Sequence, residues 1–147
     1  MLPALNDRAF LIRQAQAAAP DTSQCMMQYQ TLDLSQVDLS FAGRLREGNP
    51  SLEAIRRLRA ADPVFLVRKG ERWLIHDSAG IPVGRLAQSY APPPGAKFVR
   101  GTAAAILVRR REESDSAYQD RLERDRWDVV LPELVFRLTA ECSRANA

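Results

Sequence analysis

The hydrophobic spacing of this chain changes its period at Asp62-Pro63. Before this dipeptide, apolar residues recur at helical spacing, and Asn49-Pro50 places a capping side chain directly before a proline, as at many helix starts. After it, short apolar runs alternate with polar residues and are separated by glycine-containing turns, which is typical of β-strands. The pattern therefore predicts a helical segment over 1–63 and a β-rich unit over 64–147.

Three helices are predicted in the first segment, over 7–18, 21–30 and 50–60. Asn6 caps the first helix and Pro20 ends it. The residues that follow, 31–41, alternate imperfectly and read as either a strand or an extended linker.

The second unit contains four or five short apolar runs. "VFLVRKGERWLIH" reads as a pair of strands, "IPVGRL" as a third, "AKFVRGTAAAILVRR" as a long strand with a bulge or bend at Gly101, and "RWDVVLPELVF" as a strand in which Pro132 marks an edge or a bulge. The polar stretch 112–125 is a loop or a short helix. Several short strands with glycine bends favour a small twisted barrel, so the predicted fold class is α+β, with a helical segment followed by a small SH3-like or OB-like β-barrel.

The net charge of +3 hides a strong asymmetry along the chain. Residues 1–63 are neutral, residues 64–111 carry +7, and residues 112–147 carry −4. A basic segment of this kind is expected in a domain that meets a polyanion such as a nucleic acid. The alternative is that the acidic C-terminal segment folds back on the basic one.

The candidate binding residues lie in this basic segment. Arg85 follows Gly84 in "GIPVGRL" and either contacts phosphate or is an ordinary surface residue beside a glycine that serves curvature. Because strand residues alternate, Arg109 and Arg111 are expected on one face and Arg110 on the other. Stacking of a base requires an exposed aromatic, and Tyr90 in its proline-rich loop is the expected one, although aromatics in small barrels are more often core. The predicted nucleic-acid-binding residues are Arg85, Tyr90, Lys97, Arg100, Arg109 and Arg111.

Catalytic and metal-binding motifs are absent from the sequence. It contains neither a phosphate-binding GxxxxGK[ST] loop nor a GxSxG nucleophile turn, and His76 is its single histidine. Cys25 and Cys142 match neither a redox motif nor a zinc spacing. We expect no enzymatic activity, no ATP binding, no metal and no cofactor. No apolar run approaches the ~20 residues that span a bilayer, and the N-terminus has no secretory pattern, so the expected location is the cytoplasm.

Several phrases resemble the accessory C-terminal region of bacterial RecQ-type DNA helicases. They are "LDLSQVDLSFAGRLREG", "GIPVGRLAQSYAPPPG", "VRRREES" and "DRWDVVLPELVF". The spacing of Gly80, Val83, Gly84 and Leu86 is also similar to the core of HIRAN-type small β-barrels, which occur attached to helicases and bind DNA. Together these likenesses span residues 32–136.

The resemblance implies a DNA-binding accessory domain of a helicase active in DNA repair, with the motor domain as its partner in cis. The positions that could hold DNA in such a domain are Arg85, Tyr90, Lys97 and Arg109–Arg111. The leading hypothesis is therefore a module that binds single-stranded or free-end DNA. The rival hypothesis is a protein-interaction domain whose basic face docks an acidic partner or the motor core.

Overall fold

The structure, a computed structural model, describes residues 26–138. Its main feature is one six-stranded antiparallel sheet with the strand order β1-β6-β5-β2-β3-β4. The strands are β1 (Met27–Thr31), β2 (Pro63–Lys69), β3 (Arg72–His76), β4 (Pro82–Arg85), β5 (Ala96–Arg110) and β6 (Arg126–Leu138). The helices are α1 (Pro50–Arg57) and α2 (Ser116–Gln119), with short 3-10 turns at Leu34–Gln36, Ala42–Arg44 and Arg111–Glu113.

The sheet is open, so the prediction of a closed SH3-like or OB-like barrel is wrong, while a β-rich α+β chain is confirmed. β1 and β4 form its two edges. An isolated bridge between Val37 and Leu86 joins the segments that follow these edge strands. One bridge is too short to form the ladder that would close a barrel.

Among residues 26–63, the helical prediction holds for α1 alone. The Asn49 side chain accepts a hydrogen bond from the Ser51 amide at 2.9 Å, and Leu52 and Ile55 are buried on the inner face of the helix. Residues 27–30, predicted as helical, belong to β1 instead, because they pair with β6 some 100 residues later in the chain. Residues from both sides of position 63 therefore share the sheet. The helix predicted over 7–18 lies outside the described residues.

The strand predictions after residue 63 are confirmed, and 112–125 contains the short helix α2. The register of β5 against β6 shifts at Val99 and again at Ala104, so two bulges flank Gly101 instead of falling on it. Pro132 lies opposite Ala103, beside the second bulge, as its residue type predicts.

Gly101 is needed for a close approach between β5 and β2. A Cβ atom at this position would lie 2.9 Å from the carbonyl oxygen of Val64 and 3.1 Å from Cδ2 of Leu134. Gly84 makes no such approach, because a Cβ atom there would make only an ordinary contact, 3.7 Å from Cβ of Ile75.

The core lies between the inner side of the sheet and the segment 32–58. Its largest fully buried side chains include Phe136, Leu134, Ile75 and Leu86. The side chain of Trp127, on β6, contacts that segment at Leu39 and Gly43.

We expect Gly101→Ala to lower the free energy of unfolding by about 1–3 kcal/mol, because the added methyl group must push the two strands apart. Gly84→Ala is the matched control, since its methyl group meets no atom closer than van der Waals contact. Chemical denaturation of both variants measures the difference. Equal stability of the two would contradict the assignment of the tight β2–β5 contact to Gly101.

Candidate nucleic-acid interface

Strand register assigns several of the basic side chains to one side of the sheet. Val64, Gly101 and Leu134 pair in a row across β2, β5 and β6, and all three are buried. This row marks the inner side. Because successive strand residues alternate, their neighbours Phe65, Arg100 and Val135 face the opposite side, which we call the outer side.

Arg100 lies at the centre of the outer side. It pairs with Val135, which in turn pairs with Tyr29 of β1. The Arg100 guanidinium lies 6.0 Å from the centroid of the Tyr29 ring, within the range of a cation–π contact. Tyr29 is still 60% exposed, so one face of its ring remains available to a ligand.

The next row adds two further cations. Lys97 pairs with Arg137, which pairs with Met27, and all three side chains are exposed. On the other flank of Arg100, Phe65 of β2 is 43% exposed. Two exposed aromatic rings therefore flank a group of three basic side chains. We call this group the stacking face, and it consists of Tyr29, Phe65, Lys97, Arg100 and Arg137.

The outer side continues across β2, β3 and β4. Phe65 pairs with His76, Lys69 with Arg72, and Leu74 with Arg85. Since these residues alternate with the buried Leu66 and Ile75, they face the outer side as well. By this alternation Arg85, Lys97 and Arg100 share the outer side of one sheet, with Arg85 on β4, three strands away from β5.

Arg85 is held by Asp38, which precedes the second 3-10 turn. Nε of Arg85 donates to Oδ2 of Asp38 at 2.9 Å, and the Asp38 amide donates to the Arg85 carbonyl oxygen at 2.8 Å. Nη2 of Arg44 reaches the same Oδ2 at 2.5 Å. Oδ1 accepts from the Ser40 amide at 3.1 Å. One half-buried carboxylate therefore fixes two guanidinium groups.

Arg72 is the third guanidinium of this group. Its Nη2 donates to the Leu86 carbonyl oxygen at 3.0 Å and lies 4.0 Å from Oδ2 of Asp38. Its Nε is buried and has no hydrogen-bond partner. Burial and the neighbouring charge of Arg85 lower the pKa of Arg72. We call Asp38, Arg44, Arg72 and Arg85 the arginine cluster.

The Asp38 carboxylate is stabilised in its charged form. Burial acts to raise its pKa, but the hydrogen bonds and charges of Arg44 and Arg85 outweigh burial, so the pKa lies below its usual range. A carboxylate with a lowered pKa stabilises the folded state above its unfolded-state pKa of about 3.9. That contribution is lost as the pH falls through the lower, folded-state pKa.

Arg109 and Arg111 lie away from the outer-side cations that the structure brings together. About nine residues of β5 separate Arg100 from Arg109, roughly 30 Å of strand. β5 ends at Arg110, and Arg111 belongs to a 3-10 turn, so the expectation that Arg109 and Arg111 share a strand face is wrong. Their donors bond within the local structure, from Arg111 to Asp125 and the Gln119 carbonyl and from Arg109 to the Glu113 carbonyl.

Tyr90 is buried, contrary to the prediction that it is exposed. Its hydroxyl group donates to Oε1 of Gln30 at 3.1 Å, and burial raises its pKa to about 12. The proline-rich loop therefore places the Tyr90 side chain against β1, where it is not available to a ligand.

One acidic residue of the described C-terminal segment, Glu133, lies on the outer side one row from Arg100, and its Oε2 accepts from the Thr31 hydroxyl group at 3.4 Å. Three others make their contacts away from the stacking face. Asp125 pairs with Arg111, and Glu123 lies 3.8 Å from Arg46. Oε1 of Glu113 accepts from the Arg110 amide. Up to residue 138, these contacts join the acidic segment to the C-terminal end of the basic one, at Arg110 and Arg111, and leave Lys97 and Arg100 without an acidic partner; residues 139–147 lie outside the described range.

Sequence reasoning missed the residues that depend on long-range pairing. Tyr29 lies in a stretch that was predicted as a helix. The sequence around Asp38 does not indicate its contacts with Arg72 and Arg85, which are far away in the chain. Phe65 and Arg72 could have been predicted from the sequence, because Phe65 alternates with the apolar Val64 and Leu66, and Arg72 belongs to the basic segment.

Within residues 26–138, no group of histidine, cysteine or acidic side chains is arranged to hold a metal ion, and no helix is long and apolar enough to cross a bilayer. Both cysteines lie outside that range. No family model, curated protein or solved structure matches the chain. The outer-side residues are thus the main evidence on function.

We expect Asp38→Asn to lower the free energy of unfolding at pH 7 by about 2 kcal/mol, because three guanidinium groups then lose their shared counter-charge. The difference from the wild type should shrink as the pH falls from about 4 through the lower folded-state pKa of Asp38, below which the group is protonated in both states. Denaturation between pH 3 and pH 7 measures this, with the exposed Asp120→Asn as control. A deficit independent of pH would contradict the electrostatic role of Asp38.

Proposed function

We propose that the chain is a non-catalytic DNA-binding module that holds single-stranded DNA on the outer side of its sheet. One observation carries the proposal: strand register places Arg85, Lys97 and Arg100 on the same side, together with the exposed rings of Tyr29 and Phe65. Aromatic rings beside cations are what a sequence-tolerant single-strand binder needs, because every base has a face that can stack and every nucleotide has a phosphate.

The dimensions of the stacking face suit a strand. Tyr29 and Phe65 stand on β1 and β2, three strand steps apart, which is about 14 Å at the usual strand spacing. Stacked nucleotides rise by roughly 3.4 Å each, so several can lie between the two rings. Arg100 lies between the rings, and Lys97 and Arg137 lie one row away, where they can contact phosphates.

The proposal makes this module a part of a helicase. The RecQ-type phrases support a place beside a helicase motor in cis, and the HIRAN-type spacing supports a role at single-stranded or free DNA ends. In this proposal the motor domain hydrolyses ATP and the module binds the DNA strand. The proposed location of the protein is the cytoplasm.

The rival proposal is a protein-interaction surface for an acidic partner. An acidic protein would use the cations of the stacking face but would have less use for two exposed aromatic rings. Salt dependence alone does not separate the proposals, because both kinds of binding are electrostatic. The contribution of the aromatic rings does.

We expect the double variant Lys97→Gln/Arg100→Gln to weaken binding of a labelled single strand and to lower the slope of log K against log salt by about 1.4, for two lost phosphate contacts. Arg110→Gln/Arg126→Gln is the matched control, because these exposed residues also pair across β5 and β6 but at the far end of the ladder. Anisotropy titrations at several salt concentrations measure both slopes.

Tyr29→Ser should weaken single-strand binding about 5- to 100-fold with little change in the salt slope, since it removes a stacking ring and no charge. Polyglutamate serves as the acidic-protein probe in the same titrations. Loss of polyglutamate binding in the Lys97/Arg100 variant, with single-strand binding unchanged in both variants, would overturn the proposal in favour of the rival.

A further inference from the structure

A cleft beside the arginine cluster has no part in the stacking face. Its volume is about 390 Å³. Lys69, Arg72 and Arg85 form its cationic wall, and Phe41, Leu74 and Pro82 form its apolar wall, with Ser51 from the first turn of α1. No Asp or Glu of residues 26–138 lines this cleft.

The arginine cluster carries more positive charge than its carboxylate can balance. Asp38 already accepts from Arg44 and Arg85 through Oδ2 and from the Ser40 amide through Oδ1. Three guanidinium groups around one carboxylate leave a net charge of about +2, and Lys69 adds another positive charge at the rim of the cleft.

This excess of positive charge affects Arg72. Its side chain is 27% exposed, its Nε is buried without a partner, and it lies beside the charged Arg85. Partly buried like charges raise the free energy of the folded protein, and an anion at the same place lowers it. The cluster therefore favours an anion of about two negative charges.

We propose that this cleft binds a dianionic phosphate monoester, as found at the phosphorylated end of a DNA strand; the link to a strand rests on the function proposed above. A phosphate monoester carries about −1.5 to −2 at pH 7, whereas a phosphodiester of the backbone carries −1. The charge of the cluster selects the monoester. Phe41, Leu74 and Pro82 then face the sugar and base that a terminal nucleotide brings with its phosphate.

The experiment compares three internally labelled 12-nucleotide strands of one sequence, with a 5′-phosphate, a 3′-phosphate or hydroxyl groups at both ends. We expect one of the two phosphates to raise the affinity of the full chain at least fivefold over the hydroxyl strand. Lys69→Gln should reduce this gain at least threefold and Arg72→Gln should abolish it.

Arg68→Gln is the matched control, because Arg68 is next to Lys69 but faces the other side of the sheet, over Trp73. Lys69 is exposed and belongs to no ion pair among those of the described residues, so its variant reports on the cleft even if Arg72→Gln unfolds the chain. Thermal denaturation of each variant verifies folding.

Inorganic phosphate, at constant ionic strength against chloride, is the second probe. It should raise the Tm of the wild type and compete only with the phosphate-dependent part of strand binding. Phosphate binding without any gain from a phosphorylated end would mean that the cleft takes the free ion, and would overturn the proposal.

A gain below twofold from both phosphorylated ends also overturns the phosphate site. In that case the proposed function still stands if Lys97→Gln/Arg100→Gln weakens the hydroxyl strand. The opposite result is also possible to distinguish. If a terminal phosphate still raises the affinity while Lys97→Gln/Arg100→Gln leaves hydroxyl-strand binding unchanged, the phosphate site in the cleft stands and the stacking face is overturned as the strand-binding surface.

Discussion

The antiparallel pairing of β5 with β6 is the constraint on which the other elements of this protein depend. The two long strands lie at the middle of the sheet, so β1 adds to one side and β2 to the other. The N-terminal end of β6 carries Trp127, whose indole N–H donates to the Leu39 carbonyl oxygen at 2.8 Å and whose ring lies against Gly43, where a Cβ atom would come within 2.8 Å. This contact holds the segment that contains Asp38 and Arg44, so the arginine cluster depends on a strand that contributes none of its charges.

The outer side is continuous, but its two parts are joined by a short ladder. β2 pairs with β5 only at Pro63 and Val64, whereas its pairing with β3 extends from Phe65 to Lys69. Gly101 permits the close approach at this joint, and the bulges on either side of it bend β5. A few backbone contacts therefore set how β2, which carries Phe65, and the arginine cluster are oriented relative to the other residues of the stacking face.

Local sequence signals account for most of the elements but for little of the site. The Asn49-Pro50 start, the period of two after Pro63 and the length of β5 all follow from neighbouring residues, and they predict α1 and β2 to β6. The misses depend on partners far along the chain: β1 forms because β6 pairs with it, Tyr90 is buried in the core with its hydroxyl group donating to Gln30, and Arg85 is fixed by Asp38. Composition indicated a basic surface, yet only strand register shows which cations share a side.

For the proposed anion site, the ratio of three guanidinium groups to one carboxylate matters in both directions. Full neutralisation by further acidic residues would stabilise the fold but would leave no attraction for an anion. Without any carboxylate, the arginines would repel one another and lose their fixed positions. Asp38 holds Arg44 and Arg85 in place while most of the positive charge stays unbalanced. The free energy that this excess costs the isolated protein is recovered when an anion binds the folded state, so a destabilising feature of the free chain becomes a source of affinity.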